Sequence, residues 1–135
     1  MRRDEWNTRA SADVDEIREG IDSFGGIARR LERVGRRYNR EVYYDYAHHP
    51  TEIRATLEGA RRMVEEGGRL WCVFQSHTYS RTAALIDGFA ESLSIADCVL
   101  VCDIYAAREV NTTGISSKML ANRVEGAVYI ESFEK

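Results

Sequence analysis

The run Tyr44-Asp45-Tyr46-Ala47-His48-His49-Pro50-Thr51-Glu52-Ile53 gathers acids, phenols and two imidazoles into one short stretch. Asp45 can accept hydrogen bonds from a ribose diol or an amine. His48 can orient a ligand or handle a proton, because imidazole titrates near neutral pH. A second cluster, Gln75-Ser76-His77-Thr78-Tyr79-Ser80-Arg81-Thr82, adds a guanidinium. Arg81 can grip a carboxylate or phosphate as a two-pronged fork. A third cluster is Asp103-Ile104-Tyr105-Ala106-Ala107-Arg108-Glu109. These residue types suit recognition of a small anionic or zwitterionic ligand. They do not suit independent nucleophilic or ATP-driven chemistry. The chain has no Gly-x-Ser-x-Gly elbow and no Gly-x-x-x-x-Gly-Lys-Ser/Thr phosphate loop.

The elements around the clusters have to hold them. Val14, Ile17 and Ile21 predict a short helix over 13–23, ended by Gly25-Gly26. Residues 27–37 and 41–47 read as two strands of a hairpin turning at Asn39-Arg40. Pro50 suits the first position of a helix over 50–66, whose inward face is Ile53, Leu57, Ala60 and Val64. Helices are also expected over 81–93, with Ser80 as cap, and over 116–123, opened by Ser116. Apolar strands are expected over 70–74, 98–102 and 127–130. Alternating apolar strands and amphipathic helices predict an α/β fold. It would be a Rossmann-like, mostly parallel sheet with flanking helices and an N-terminal β-hairpin, a three-layer sandwich. Each cluster then follows a strand, where ligands bind in open α/β sheets.

A chain of 135 residues, 44% hydrophobic and 30% charged, makes one ordinary globular domain. Its net charge of -3 gives no reason to expect nucleic acid as a partner. No apolar run has the length of a membrane span, and the charged start Met1-Arg2-Arg3-Asp4-Glu5-Trp6 lacks a signal-peptide stretch. A cytoplasmic location is expected, with no membrane partner. Residues 1–12 read as an irregular segment. Cys72, Cys98 and Cys102 are odd in number and lie in apolar strands, so buried reduced thiols are expected and no metal site.

Several residues have plainer readings. His49, beside Pro50, reads as a helix cap, whereas the acidic and aromatic neighbours of His48 favour function. Arg81 reads equally as a solvated helix residue, and Asp103 as a cap where its strand ends. Trp71 reads as core. The arginines from Arg29 to Arg40 read as a solvated edge that resists aggregation.

The clusters, in this order and spacing, resemble the C-terminal domain of the Mur ligases. The residues that carry the likeness are Arg29-Arg30-Leu31-Glu32, Asp45 to Ile53, Phe74 to Thr82, and Asp103 to Glu109, in a match running from about residue 17 to the end. The third cluster favours the alanine-adding branch over the tripeptide-recycling one, which shares His-His-Pro. The resemblance implies the third domain of a three-domain enzyme of peptidoglycan precursor synthesis. That enzyme joins L-alanine to the lactyl carboxylate of UDP-N-acetylmuramate, through an acyl phosphate made from ATP and magnesium. By position, Tyr46, His48 and Arg81 would meet the amino acid or the reacting carboxylate, with His48 catalytic. Arg30 and Asp45 would meet the nucleotide, Asp45 near the ribose.

This chain departs from the family pattern at Tyr44, where an acid is usual, and at Thr78, where many members carry a second arginine. The resemblance divides it into residues 1–24, an irregular segment and remnant of the central ATPase domain, and residues 25–135, the C-terminal domain lacking its last strand. ATP and magnesium would be held mainly by the central domain, and the chain alone would be inactive. Its partners would be the N-terminal and central domains of the same bacterial, cytoplasmic ligase. Two other readings stay open: a non-catalytic nucleotide or amino-acid binding module, and a metal hydrolase built on His48 and His49.

Overall fold

The computed structural model describes residues 13–131, so the irregular segment expected over residues 1–12 lies outside it. The elements are α1 (Val14–Asp22), β1 (Glu32–Arg37), β2 (Arg40–Tyr44), α2 (Pro50–Arg61), β3 (Trp71–His77), α3 (Tyr79–Leu93), β4 (Cys98–Tyr105), α4 (Ser117–Ala121) and β5 (Val128–Ile130). The strands form two sheets. β1 and β2 make an antiparallel hairpin, and β3-β4-β5 make a parallel sheet in that order. Mixed α/β architecture is therefore present, with the hairpin at the N-terminal side.

The hairpin turns at Tyr38-Asn39, one residue before the predicted Asn39-Arg40. Arg37 pairs with Arg40, and the two residues between them have φ of 48° and 59°. Two positive φ values make a type I′ turn, whose twist matches the strands it joins. β1 also starts later than predicted. Residues 27–31 form a loop in which Arg29 and Leu31 have positive φ. β3 and β4 run further than expected, to His77 and Tyr105, so parts of the second and third clusters are strand rather than turn.

The core lies between the parallel sheet and its helices. Phe74, Val99 and Val101 meet Ile86, Phe89 and Leu93 of α3 and Leu120 of α4. Leu93, Val101 and Leu120 are fully buried, so truncating Leu93 to Ala would cost about 2–5 kcal/mol. The opposite face of β3 is open. Trp71 is 57% exposed, against its expected place in the core, and Val73 is 56% exposed. A continuous apolar run reads as buried on both faces, but here only alternate residues are covered. Of the cysteines expected to be buried, Cys102 is, while Cys72 and Cys98 are half-buried.

Two contacts fix α2. At its start, Ser92 Oγ donates to the Pro50 carbonyl at 2.9 Å, and a Cβ built on Gly88 would lie 3.1 Å from Pro50 Cγ. At its end, Arg61 grips Asp97 through two bonds of 2.7 and 3.0 Å and donates to the Ile95 carbonyl at 2.6 Å. Asp97 also accepts from the Leu70 N–H at 2.7 Å. β3 therefore begins where α2 ends and runs back toward the start of α2. α1 buries no residue: Val14, Ile17 and Ile21 are 67, 50 and 68% exposed.

Candidate functional site

The turn from β2 into α2 is held by its own residues. Asp45 accepts from the Leu31 N–H and the Ala47 N–H, each at 2.7 Å. The bond to Ala47 is the side-chain-to-backbone turn that aspartate favours. The bond to Leu31 straps the 27–31 loop to the strand end, helped by Tyr46 N–H donating to the Arg29 carbonyl at 2.9 Å. His49 is the N-cap of α2, as expected, and its Nδ1 accepts from the Thr51 N–H at 3.3 Å. Glu52 reaches back to the N–H groups of His48 (3.0 Å) and His49 (3.3 Å). These contacts, led by the His48 N–H, hold the Glu52 carboxyl below its usual range.

His48 lies against Tyr46, ring centroids 5.3 Å apart. Its Nδ1 is 3.1 Å from the Tyr46 carbonyl, which can only accept, so Nδ1 carries the proton in that bond. In the neutral ring Nε2 is then the free acceptor. Fixing one ring nitrogen to define the other is how a histidine is prepared for proton transfer.

The turn from β3 into α3 is held differently. Its N-cap is Thr78 rather than the predicted Ser80, at φ 68° and ψ 145°. A β-branched residue at positive φ is a backbone outlier. Its neighbours pin it: Thr78 N–H donates to the Tyr105 carbonyl at 2.9 Å, and Thr82 Oγ1 donates to the Thr78 carbonyl at 2.6 Å. The first N–H groups of α3 are met by Glu109, which accepts from Ser80 N–H at 2.9 Å and Ser80 Oγ at 2.6 Å. The Ser80 contacts hold the Glu109 carboxyl low. Sequence reasoning missed this role, because Glu109 is 29 residues from its partner and no local capping pattern joins them.

The first two clusters share a cleft of about 1590 Å³. It is walled by β2 and β3 and floored by the Ile53–Leu57 face of α2. Asp45, Tyr46, His48, Gln75, His77 and Arg81 all line it. Arg81 forms no ion pair among the described residues, so its fork is free for a ligand. Of the third cluster only Tyr105 reaches the cleft, where its ring stacks on His77 at 5.4 Å. Asp103 lines a separate cavity of about 200 Å³ with Asn111 and Ser117, and accepts from Tyr129 Oη at 2.7 Å. That bond pushes the Tyr129 phenol up to about 12. The expected single rim is therefore split by the register shift between Gln75 and His77, opposite Cys102 to Tyr105. Arg30 does not line the cleft; its charge acts on Glu52 from outside.

No three His, Cys, Asp or Glu side chains among the described residues are grouped to hold a metal ion. The described residues thus offer no three-ligand cage for a cation, whereas magnesium is commonly held by one or two carboxylates together with phosphate oxygens. Burial pushes the Cys72 thiol, on the cleft wall, up to about 11, so it is protonated at neutral pH. No helix of the described residues is long and apolar enough to cross a membrane.

Comparison with known proteins matches residues 29–135 to a family described as Mur ligase, glutamate ligase domain. A UDP-N-acetylmuramate–L-alanine ligase of Caldicellulosiruptor saccharolyticus is 46% identical over 127 residues, covering 91% of this chain and 28% of that protein. The ligase of the same description from Mycolicibacterium smegmatis is 47% identical over 124 residues, covering 90% and 26%. Among solved structures, a murein peptide ligase from Psychrobacter arcticus superposes with a TM-score of 0.56 at 27% identity. It covers 84% of this chain and 24% of that one. The chain thus spans about a quarter of the length of the relatives it matches.

Proposed function

The chain belongs to the Mur ligase family, through that family's glutamate ligase domain, and from this premise we propose that it is the amino-acid-receiving domain of an ATP-dependent L-alanine ligase. The parent enzyme would join L-alanine to UDP-N-acetylmuramate in the bacterial cytoplasm. The observation that carries the reading is the free Arg81 fork in one cleft with His48 and Tyr46. Arg81 takes the alanine carboxylate. The amine must lose a proton as it attacks the acyl phosphate, and His48 Nε2 is the group placed to accept it or to orient the amine. The Tyr46 hydroxyl steadies the same ligand.

Asp45 and Arg30 serve the nucleotide. Each Asp45 oxygen already accepts one backbone N–H and keeps a second lone pair for a ribose hydroxyl. Arg30, outside the cleft, meets the nucleotide from the side of the central domain. That domain holds ATP and magnesium, and no step assigned to these residues passes through the metal. The bare apolar stripe of α1 supports a place against the central domain for residues up to about 24. Closure of the domains brings alanine to the acyl phosphate and excludes water, which would otherwise hydrolyse it.

The test is a chimera in which this chain replaces the matching segment of the Mycolicibacterium smegmatis ligase. Phosphate release that requires both UDP-N-acetylmuramate and L-alanine is expected from the chimera and not from the chain alone. Arg81→Ala should raise the KM for alanine by about tenfold to a hundredfold, the loss of one or two charge-assisted bonds. An unchanged alanine KM would remove the reading.

A further inference from the structure

The small cavity at Asp103 shares no lining residue with the cleft. It is framed by the end of β4, the first residue of α3 and the first residue of α4. Its polar groups are incompletely used. Ser117 is 2% exposed, and its Oγ is the one buried side-chain polar atom without a hydrogen-bond partner among the described residues. A bare buried hydroxyl is costly and calls for a partner. Asp103 has one carboxylate oxygen on Tyr129 Oη, and its other oxygen accepts from no donor among the described residues. Asn111 Nδ2 donates to the Ile115 carbonyl at 2.9 Å. Its Oδ1 accepts from Thr113 Oγ1 at 3.2 Å and keeps a second lone pair.

The lining holds one carboxylate and no arginine, lysine or histidine, so it repels an anion and balances a single positive charge. A divalent metal would find too few carboxylates. The rest of the wall, Tyr79, Ile104 and Ile115, is mostly apolar. One water needs only about 10–15 Å³ of such space, so about 200 Å³ has room for a group of several atoms.

We propose that this pocket binds a small primary ammonium carrying a short apolar tail. The ammonium has three donors and no acceptor, and it meets three unfilled acceptors: the free Asp103 oxygen, Ser117 Oγ and Asn111 Oδ1. The tail lies against Ile104, Ile115 and the Tyr79 ring. This inference goes beyond the ligase reading and does not depend on it. It also gives the 106–116 loop a role. That loop joins β4 to α4 and carries Glu109, whose bonds to Ser80 hold the start of α3. The occupant ties Asp103, before the loop, to Ser117, after it, and so braces Glu109 against Ser80.

Titration of the chain with propylammonium chloride, followed by amide NMR, tests the pocket. Saturable shifts at Ile104, Asn111 and Ser117 are expected at about millimolar ligand, in keeping with so few atoms. At about ten times the dissociation constant, exchange of the Ser80 amide should slow about fivefold to tenfold. Asp103→Asn keeps an acceptor for Tyr129 but removes the charge, and should weaken binding about tenfold or more. Ser117→Ala should weaken it about threefold to tenfold while leaving the urea midpoint unchanged or raised, since it deletes a bare buried hydroxyl. Propanol, sodium chloride and potassium chloride at matched concentration should give no such shifts. The proposal is overturned if propylammonium gives no saturable shift, as for a pocket that holds water alone. It is overturned too if propanol or a salt reproduces the shifts, or if either variant binds as the unaltered chain does. Unchanged Ser80 exchange at saturation would remove the brace. None of these readings involves turnover, so the pocket and the ligase reading can fail separately.

Discussion

The two turns that open onto the cleft do the same job by opposite means. At His49-Pro50 every backbone N–H that α2 leaves free near its start is met from within a few residues, by His49 itself and by Glu52. At Thr78-Tyr79 the cap is a strained residue, and the helix start depends on Glu109 from beyond β4. The first turn is set by local sequence and can form as α2 forms. The second exists only once β3, α3 and the segment after β4 have come together. A site that joins both has one wall that is prepared in advance and one that is assembled.

The sharpest way to break this contrast is at the contact that braces the first turn on α3. Gly88→Val should push Pro50 away and destabilise the domain by about 1–3 kcal/mol, read by urea unfolding. If stability holds, the first turn does not lean on α3. The assembled turn should respond the other way. Thr78→Gly removes strain of about 1–3 kcal/mol at φ 68° against a glycine entropy cost of about 0.5–1 kcal/mol. A net gain of about 1 kcal/mol is expected, and a lower unfolding midpoint would show that Thr78 is not strained. At the local turn, His49→Ala should lose about 0.5–1 kcal/mol, since its cap bond is long and Glu52 remains.

The smallest effect concerns acid. Glu109 and Glu52 have lowered carboxyl pKa values in the folded chain. Their contribution is therefore present above the unfolded value of about 4.3 and is lost as pH falls through the folded value. Glu109→Gln should flatten the decline in melting temperature below about pH 4.5 while leaving the neutral value nearly unchanged. An acid limb identical to that of the unaltered chain would mean the Glu109 contact is not formed.

The same contrast explains what the sequence made legible. His49 as cap, Pro50 as first helical residue and the helices themselves follow from short-range patterns, and all are in place. Thr78 as cap, Glu109 as its support and the division of the third cluster are non-local, fixed by a register shift that no spacing announces. Trp71 is exposed where an apolar strand suggests core, for a related reason. An apolar strand looks the same in sequence whether one face or both are covered. The Mur likeness depended on the His-His-Pro turn and its companion motifs, which local sequence preserves. The separation of β2 from the parallel sheet is likewise non-local, and no short-range pattern announces it.

Asp97 has a consequence in time. Its carboxylate gathers the end of α2, the start of β3 and the turn before β4, with partners 36 and 27 residues away. Such a knot closes only after long loops have been drawn together, and so belongs to the late side of the folding barrier. It should leave the speed of folding nearly untouched and act instead as the latch that sets how long the domain stays shut.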